Sequence, residues 1–259
     1  MVVFNNQLYA SQESIAATAA QVYRWSGSGT AWTQVNVNGF GNVDTEEAPA
    51  MAVYNNKLYC AAIDYNVGTK IFEYVSGTNW TEIQSDGFGE GLDSWTIHSM
   101  IDYNNRLYVG VTNYVIGAQV WAWNGSSWAQ VNTNGFGSDN NDEIYDMVVY
   151  NDELYAPLHN ATDGRIFTYN GSLWSEIVSD GFGVSGNDWM TGMGIYGDGL
   201  YALAANDNRG DPTDVQVWYS YNYIPPTPTP TPNPTPITIL PETGLGKQSI
   251  IYFVLYKIL

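Results

Sequence analysis

The chain has 259 residues, with 8 basic and 26 acidic side chains and a net charge of −18. A chain this acidic lacks the basic footprint that nucleic-acid binders need, and anionic membrane surfaces repel it. Its single cysteine, Cys60, excludes an internal disulfide, and no cysteine–histidine cluster has zinc spacing, so an apolar core must hold the fold.

One phrase recurs from Met1 to Ile224. Aligned on a methionine, its copies begin at Met1, Met51, Met100, Met147 and Met193, so successive copies lie 50, 49, 47 and 46 residues apart. A period of that size marks one supersecondary unit per repeat, stacked in a propeller or solenoid. Each copy opens with an apolar stretch ending in an aromatic residue, as in Met147-Val148-Val149-Tyr150. A two-residue turn follows: Asn5-Asn6, Asn55-Asn56, Asn104-Asn105, Asn151-Asp152, Gly197-Asp198. Asn, Asp and Gly tolerate the positive φ that tight hairpins need.

A second strand then carries Leu-Tyr, from Leu8-Tyr9 to Leu200-Tyr201, and a third carries pairs such as Val22-Tyr23 and Ile71-Phe72. The fourth is marked by Trp32, Trp80, Trp128 and Trp174. Four short strands per repeat, rich in aromatic and β-branched residues and without a helical stripe, predict an all-β propeller of four-stranded antiparallel blades over residues 1–224.

Gly-Phe-Gly closes each complete copy, at Gly39-Phe40-Gly41, Gly87-Phe88-Gly89, Gly135-Phe136-Gly137 and Gly181-Phe182-Gly183. A motif repeated in every blade reads as architecture, with the phenylalanine wedged between blades. The fifth copy enters Ile224-Pro225 without a Trp strand or a Gly-Phe-Gly turn. Five blades are therefore expected, the last of three strands. Met1 aligns with internal methionines, which leads to the expectation of an N-terminal truncation of a longer secreted precursor. The repeats resemble kelch-like and tachylectin-like propellers, without the paired glycines of kelch blades.

Residues 225–239 alternate proline mostly with threonine, the composition of an extended polyproline spacer. Leu240-Pro241-Glu242-Thr243-Gly244 then resembles the sorting signal of sortase-anchored surface proteins of Gram-positive-type envelopes. That resemblance implies cleavage of the Thr243–Gly244 bond and attachment of Thr243 to an envelope amine. Sortase and peptidoglycan would then be partners, and the head extracellular, cell-wall anchored and monomeric. The apolar stretch Ile250–Leu259 that ends the 240–259 segment is shorter than that family's membrane span.

Function on a repeated scaffold sits where the repeats differ. The loops from strand four to the next strand one, and from strand two to three, share one face. They pair acids with aromatics: Asp93 with Trp95, Asp142 with Tyr145, Asp188 with Trp189, joined by Asn113, Tyr114, Asn160 and Asp163. An aromatic plane beside carboxylates and amides suits a sugar, whose ring stacks while its hydroxyls are bound. The expected role is a surface binding or adhesion module for glycan or protein ligands. The alternatives are an extracellular glycoside hydrolase and a structural surface-layer component. A hydrolase needs two carboxylates across the site, for which Asp102 and Asp146 are the candidates, while His98 and His159 read as isolated structural residues. No cofactor is expected beyond a possible calcium ion, for which Asp139, Asp142 and Glu143 offer weak oxygen ligands.

Overall fold

The computed structural model describes residues 1–12, 19–206, 215–221 and 236–237. The motif Leu240–Gly244 and most of the 225–239 spacer lie outside the described residues. Each repeat forms one antiparallel sheet. The first comprises β1 (Val2–Phe4), β2 (Gln7–Gln12), β3 (Gln21–Trp25) and β4 (Trp32–Gln34), and the second β5 (Thr45–Tyr54), β6 (Lys57–Asp64), β7 (Gly68–Ser76) and β8 (Asn79–Gln84). The third comprises β9 (Thr96–Tyr103), β10 (Arg106–Thr112), β11 (Gln119–Trp123) and β12 (Trp128–Gln130). In the fourth, a divided inner strand, β13 (Asn141–Ile144) and β14 (Val148–Tyr150), pairs with β15 (Glu153–Asn160), followed by β16 (Arg165–Tyr169) and β17 (Trp174–Val178). The fifth comprises β18 (Trp189–Tyr196), β19 (Gly199–Ala205), β20 (Val215–Tyr221) and β21 (Pro236–Ile237).

The inner hairpins form where the asparagine pairs stand. Asn55 and Asn56 have φ of 49° and 57°, and Asn104 and Asn105 of 48° and 56°, the double left-handed geometry that matches the twist of flanking strands. The fifth sheet corrects one expectation. Its fourth strand is supplied by Pro236–Ile237, paired with Trp218 and Val217, where three strands were expected. A proline can occupy an outermost strand because no further ladder needs its missing N–H.

The sheets pack in chain order, first on second through fourth on fifth, and the set of sheets is not closed. The apolar cores lie between sheets. Ile71, Tyr54 and Ala61 of the second meet Ile97, Leu107 and Val109 of the third, and Val120 and Ala122 of the third meet Ile144, Leu154 and Phe167 of the fourth. Cys60 is fully buried between the first and second sheets, where burial pushes its thiol pKa up and leaves it unreactive.

Three contacts recur at the seams, the first at all four and the others at three each. The phenylalanine of each Gly-Phe-Gly turn stacks on the strand-three aromatic of the next sheet: Phe40 on Phe72 at 4.1 Å, Phe88 on Trp121 at 4.7 Å, Phe136 on Phe167 at 4.4 Å, Phe182 on Trp218 at 4.5 Å. The same rings meet Trp80, Trp128 and Trp174 edge-on. The turn achieves this by placing the phenylalanine itself at positive φ, 54° to 64° in the four copies, a conformation unusual for a bulky residue. Those tryptophans donate Nε1–H backwards to the preceding sheet, to the carbonyls of Val35, Ile83 and Val131. Strand-one tyrosines donate forwards, from Tyr54, Tyr103 and Tyr150 to the turn carbonyls of Asn105, Asp152 and Asp198.

Each tryptophan bond contributes about 0.5–1.5 kcal/mol. Trp174→Phe, which removes the donor and keeps an aromatic ring, should therefore lower stability in urea unfolding by about 1 kcal/mol. Trp32→Phe should change it by less than about 0.5 kcal/mol, because Trp32 is 40 % exposed and donates no such bond among the described residues.

Candidate functional site

The inner strands do not run straight to the face where the variable loops gather. The pairing of β9 with β10 slips so that Ser99 and Ile97 are partnered while His98 is passed over. The pairing of β13 with β15 likewise skips Asp142 between Asn141 and Glu143. A bulge re-aims a side chain without disturbing the ladder on either side. Both skipped residues reach the same cluster.

Its centre is a carboxylate–imidazole pair, Asp142 Oδ1 and His159 Nδ1, 2.6 Å apart. Glu143, only 4 % exposed, accepts the hydroxyl of Tyr114 at 2.6 Å and lies 4.0 Å from His98 Nε2. Tyr145 also bonds Glu143. Its ring is sandwiched between His98 at 4.9 Å and Trp189 at 5.4 Å, while His159 meets Trp189 near-perpendicularly. The ladder breaks after Ile144, and Asp146 there accepts the N–H of Met147 and, across the seam, of Met193. Asp146 is thus a structural acceptor, and Asp102 is exposed on β9.

A second tyrosine–glutamate group lies on the second and third sheets. Tyr65, at the loop position equivalent to Tyr114, donates its hydroxyl to Glu47 of its own sheet, whereas Tyr114 reaches across the seam to Glu143 of the next. The Tyr65 ring meets Trp95 edge-on at 6.1 Å. Glu47 and Glu143 both act electrostatically on His98, so the two groups adjoin. The outward rings are Tyr65 at 40 %, Trp95 at 47 % and Tyr114 at 53 % exposed.

Other sequence-selected residues have different duties. The amide oxygen of Asn113 accepts the N–H groups of Val115 and Ile116, and that of Asn160 accepts from Thr162; both side chains are buried and shape their loops. Asp163 is half-buried in the Asn160 loop, and Asp93 is exposed in a short 3-10 turn before Trp95. Asp188 leads into Trp189, with one carboxylate oxygen buried and without a hydrogen-bond partner.

The histidines, expected to be isolated, both belong to the cluster, because a bulge and a cross-strand neighbour bring together residues distant in sequence. The oxygen-ligand expectation changes too. Asp139 is exposed and stands apart, whereas Asp142, Glu143 and His159 place one ligand atom each within 4.8 Å of the others. A donor set containing imidazole suits zinc-like ions better than calcium.

Burial lowers the pKa of His98, a tendency that Glu143 and Glu47 only partly oppose. For His159 burial also works downward, but the hydrogen bond to Asp142 and the charges of Asp142, Glu143 and Asp188 outweigh it, and the net shift is upward. Burial, with the Glu143 carboxylate beside them, pushes the hydroxyls of Tyr114 and Tyr145 up, so both remain donors.

No protein-family model and no curated protein matches the chain. Solved structures do. A putative 6-phosphogluconolactonase from Bacteroides uniformis is 13% identical over 91% of this chain and 68% of its own, with a TM-score of 0.54. A GH74 xyloglucanase from Xanthomonas campestris is 15% identical over 84% of this chain, with a TM-score of 0.52. The chain spans only 35% of the xyloglucanase. At these identities the likeness shows the fold alone: an all-β array of propeller-type sheets.

The two histidines should titrate on opposite sides of the unperturbed value of about 6.5. In a histidine NMR titration the midpoint of His159 lies above that of His98, and Asp142→Asn lowers it. The raised value of His159 means that its protonated pair stabilises the fold fully below about pH 6.5 and that this contribution fades as pH rises through the folded midpoint.

Proposed function

We propose that this chain is a carbohydrate-binding head that grips a neutral glycan along the strip from Trp95 and Tyr65 to Tyr114 and Asp142. One observation carries the reading: two exposed tyrosine rings at equivalent loop positions are each held through the hydroxyl by a glutamate, Tyr65 by Glu47 of its own sheet and Tyr114 by Glu143 of the next. An exposed ring fixed in this way offers an apolar face at little entropic cost on binding. The carboxylates beside it accept hydroxyl hydrogens. Their shared sign disfavours an anionic ligand at this end. Tyr145, covered on both faces, supports the site and makes no stacking contact itself.

Hydrolysis is the second reading, because Asp142 and Glu143 supply two carboxylates. Their ligand atoms lie within 4.8 Å of one another and of His159, tied into one cluster. A glycosidic bond calls for two carboxyl groups flanking it, whereas these stand on adjacent residues already engaged by His159 and Tyr114, and binding is therefore our first reading.

The envelope setting belongs to the same proposal. The Thr243–Gly244 bond would be the point of attachment, a short way past the Pro236–Ile237 strand, on the strength of residues 240–244. Incubation of the full chain with a sortase and an oligoglycine amine should give a conjugate ending at Thr243 of this chain; an intact chain would remove the anchoring proposal.

For the head, a glycan array followed by calorimetry on the best ligand is the test. Trp95→Ala and Tyr114→Ala should each weaken binding about fivefold, the size of a lost stacking contact. Tyr114→Phe, which keeps the ring and frees it from Glu143, should cost less. Unchanged affinity in the Trp95→Ala/Tyr114→Ala double variant would overturn the site, and glycan cleavage would favour hydrolysis.

A further inference from the structure

A cavity of about 630 Å³ opens at the opposite end of the sheets, in the seam between the first and second. The repeat departs from itself at this seam. At the other three a strand-one tyrosine donates its hydroxyl to a turn carbonyl in the next sheet, from Tyr54, Tyr103 and Tyr150. The equivalent residue here is Phe4, which has no hydroxyl, and Asn56 of the facing turn lines the cavity instead. Phe4, Tyr9 and Tyr74 form an aromatic cluster beneath it, with ring centroids 5.9–6.4 Å apart and planes tilted by 59–89°; Phe4 and Tyr9 are buried and Tyr74 is half-buried.

The charge of the lining is as unusual as its shape. In a chain of net charge −18, the cavity holds two cations, Arg24 and Lys57, against one carboxylate, Glu73. Lys57 and Glu73 neutralise each other at 2.7 Å, and the Tyr59 hydroxyl also bonds Glu73. Arg24, half-buried against the Tyr9 hydroxyl, forms no ion pair among the described residues. A planar guanidinium held in place without a carboxylate is suited to receive one in two parallel bonds. The volume lies within the range of small-molecule sites, and the amide and hydroxyl groups of Asn5, Gln7 and Ser76 on its rim suit a polyhydroxylated ring.

We propose that this seam is a second binding site, for an acidic monosaccharide whose carboxylate pairs with Arg24 and whose ring lies against the half-buried Tyr74. It is independent of the strip at the other end, which is acidic and takes neutral glycan.

The test is calorimetry of the full chain with glucuronate and with glucose. Glucuronate binds and glucose does not, and the binding weakens as salt rises. Arg24→Gln reduces glucuronate affinity roughly tenfold or more, the scale of a charge-assisted pair. Phe4→Tyr adds the hydroxyl that bonds the facing turn at the other seams, which narrows the cavity at Asn56, so it weakens glucuronate binding while the melting temperature holds or rises. Equal binding of glucose, or undiminished glucuronate binding in either variant, overturns the proposal. The Trp95→Ala/Tyr114→Ala double variant should keep its glucuronate binding, so failure at one end is told apart from failure at the other.

Discussion

The phenylalanine of the Gly-Phe-Gly turn is the contact on which the rest of the molecule depends. It belongs by sequence to one repeat and by packing to the next, stacked on that repeat's third strand and meeting its tryptophan edge-on. Positive φ at a bulky residue is costly in isolation. Here the cost is offset by burying an aromatic ring between two others, worth about 0.5–1.5 kcal/mol beyond its area. Neither sheet alone has a core, because the buried clusters all lie between sheets. The wedge sets how one sheet meets the next, and the tryptophan and tyrosine bonds, running in opposite directions, hold that orientation at two separated points.

Much of this was readable from residue order, and the reason is physical. A repeat that must bury itself against its own copy repeats its aromatic positions, so Trp80, Trp128 and Trp174 advertise both the strand and the seam. Asparagine pairs at fixed offsets likewise mark hairpins, since few other residues accept two successive left-handed conformations. The phenylalanine wedge follows from the same logic. That the phenylalanine takes the left-handed turn itself is less apparent, because the flanking glycines are the natural candidates for that role.

The site was half visible. Acid–aromatic pairing at the loop ends marked Asp142, Tyr114 and Trp95, but nothing in the chain announces a bulge. His98 and Asp142 reach the cluster only because the ladder skips them, and His159 lies 17 residues from its partner on a neighbouring strand. The buried asparagines show the converse. Asn113 and Asn160 look like ligand groups among the polar loop residues, yet their amide oxygens are occupied in forming the loops that carry Tyr114 and Asp163. Comparing copies would have helped: Glu47 and Glu143, and Tyr65 and Tyr114, stand at matching offsets from their methionines.

The bulges in the inner strands separate two demands that a regular strand would confound. On a strict two-residue alternation, changing which residue faces the loop end would move every following side chain to the wrong side of the sheet. One surplus residue absorbs that error before the core begins. Descent by duplication can therefore rewrite the loop-facing end of a repeat, from Glu47 to Thr96 to Glu143 to Trp189, while Met51, Met100, Met147 and Met193 keep their station.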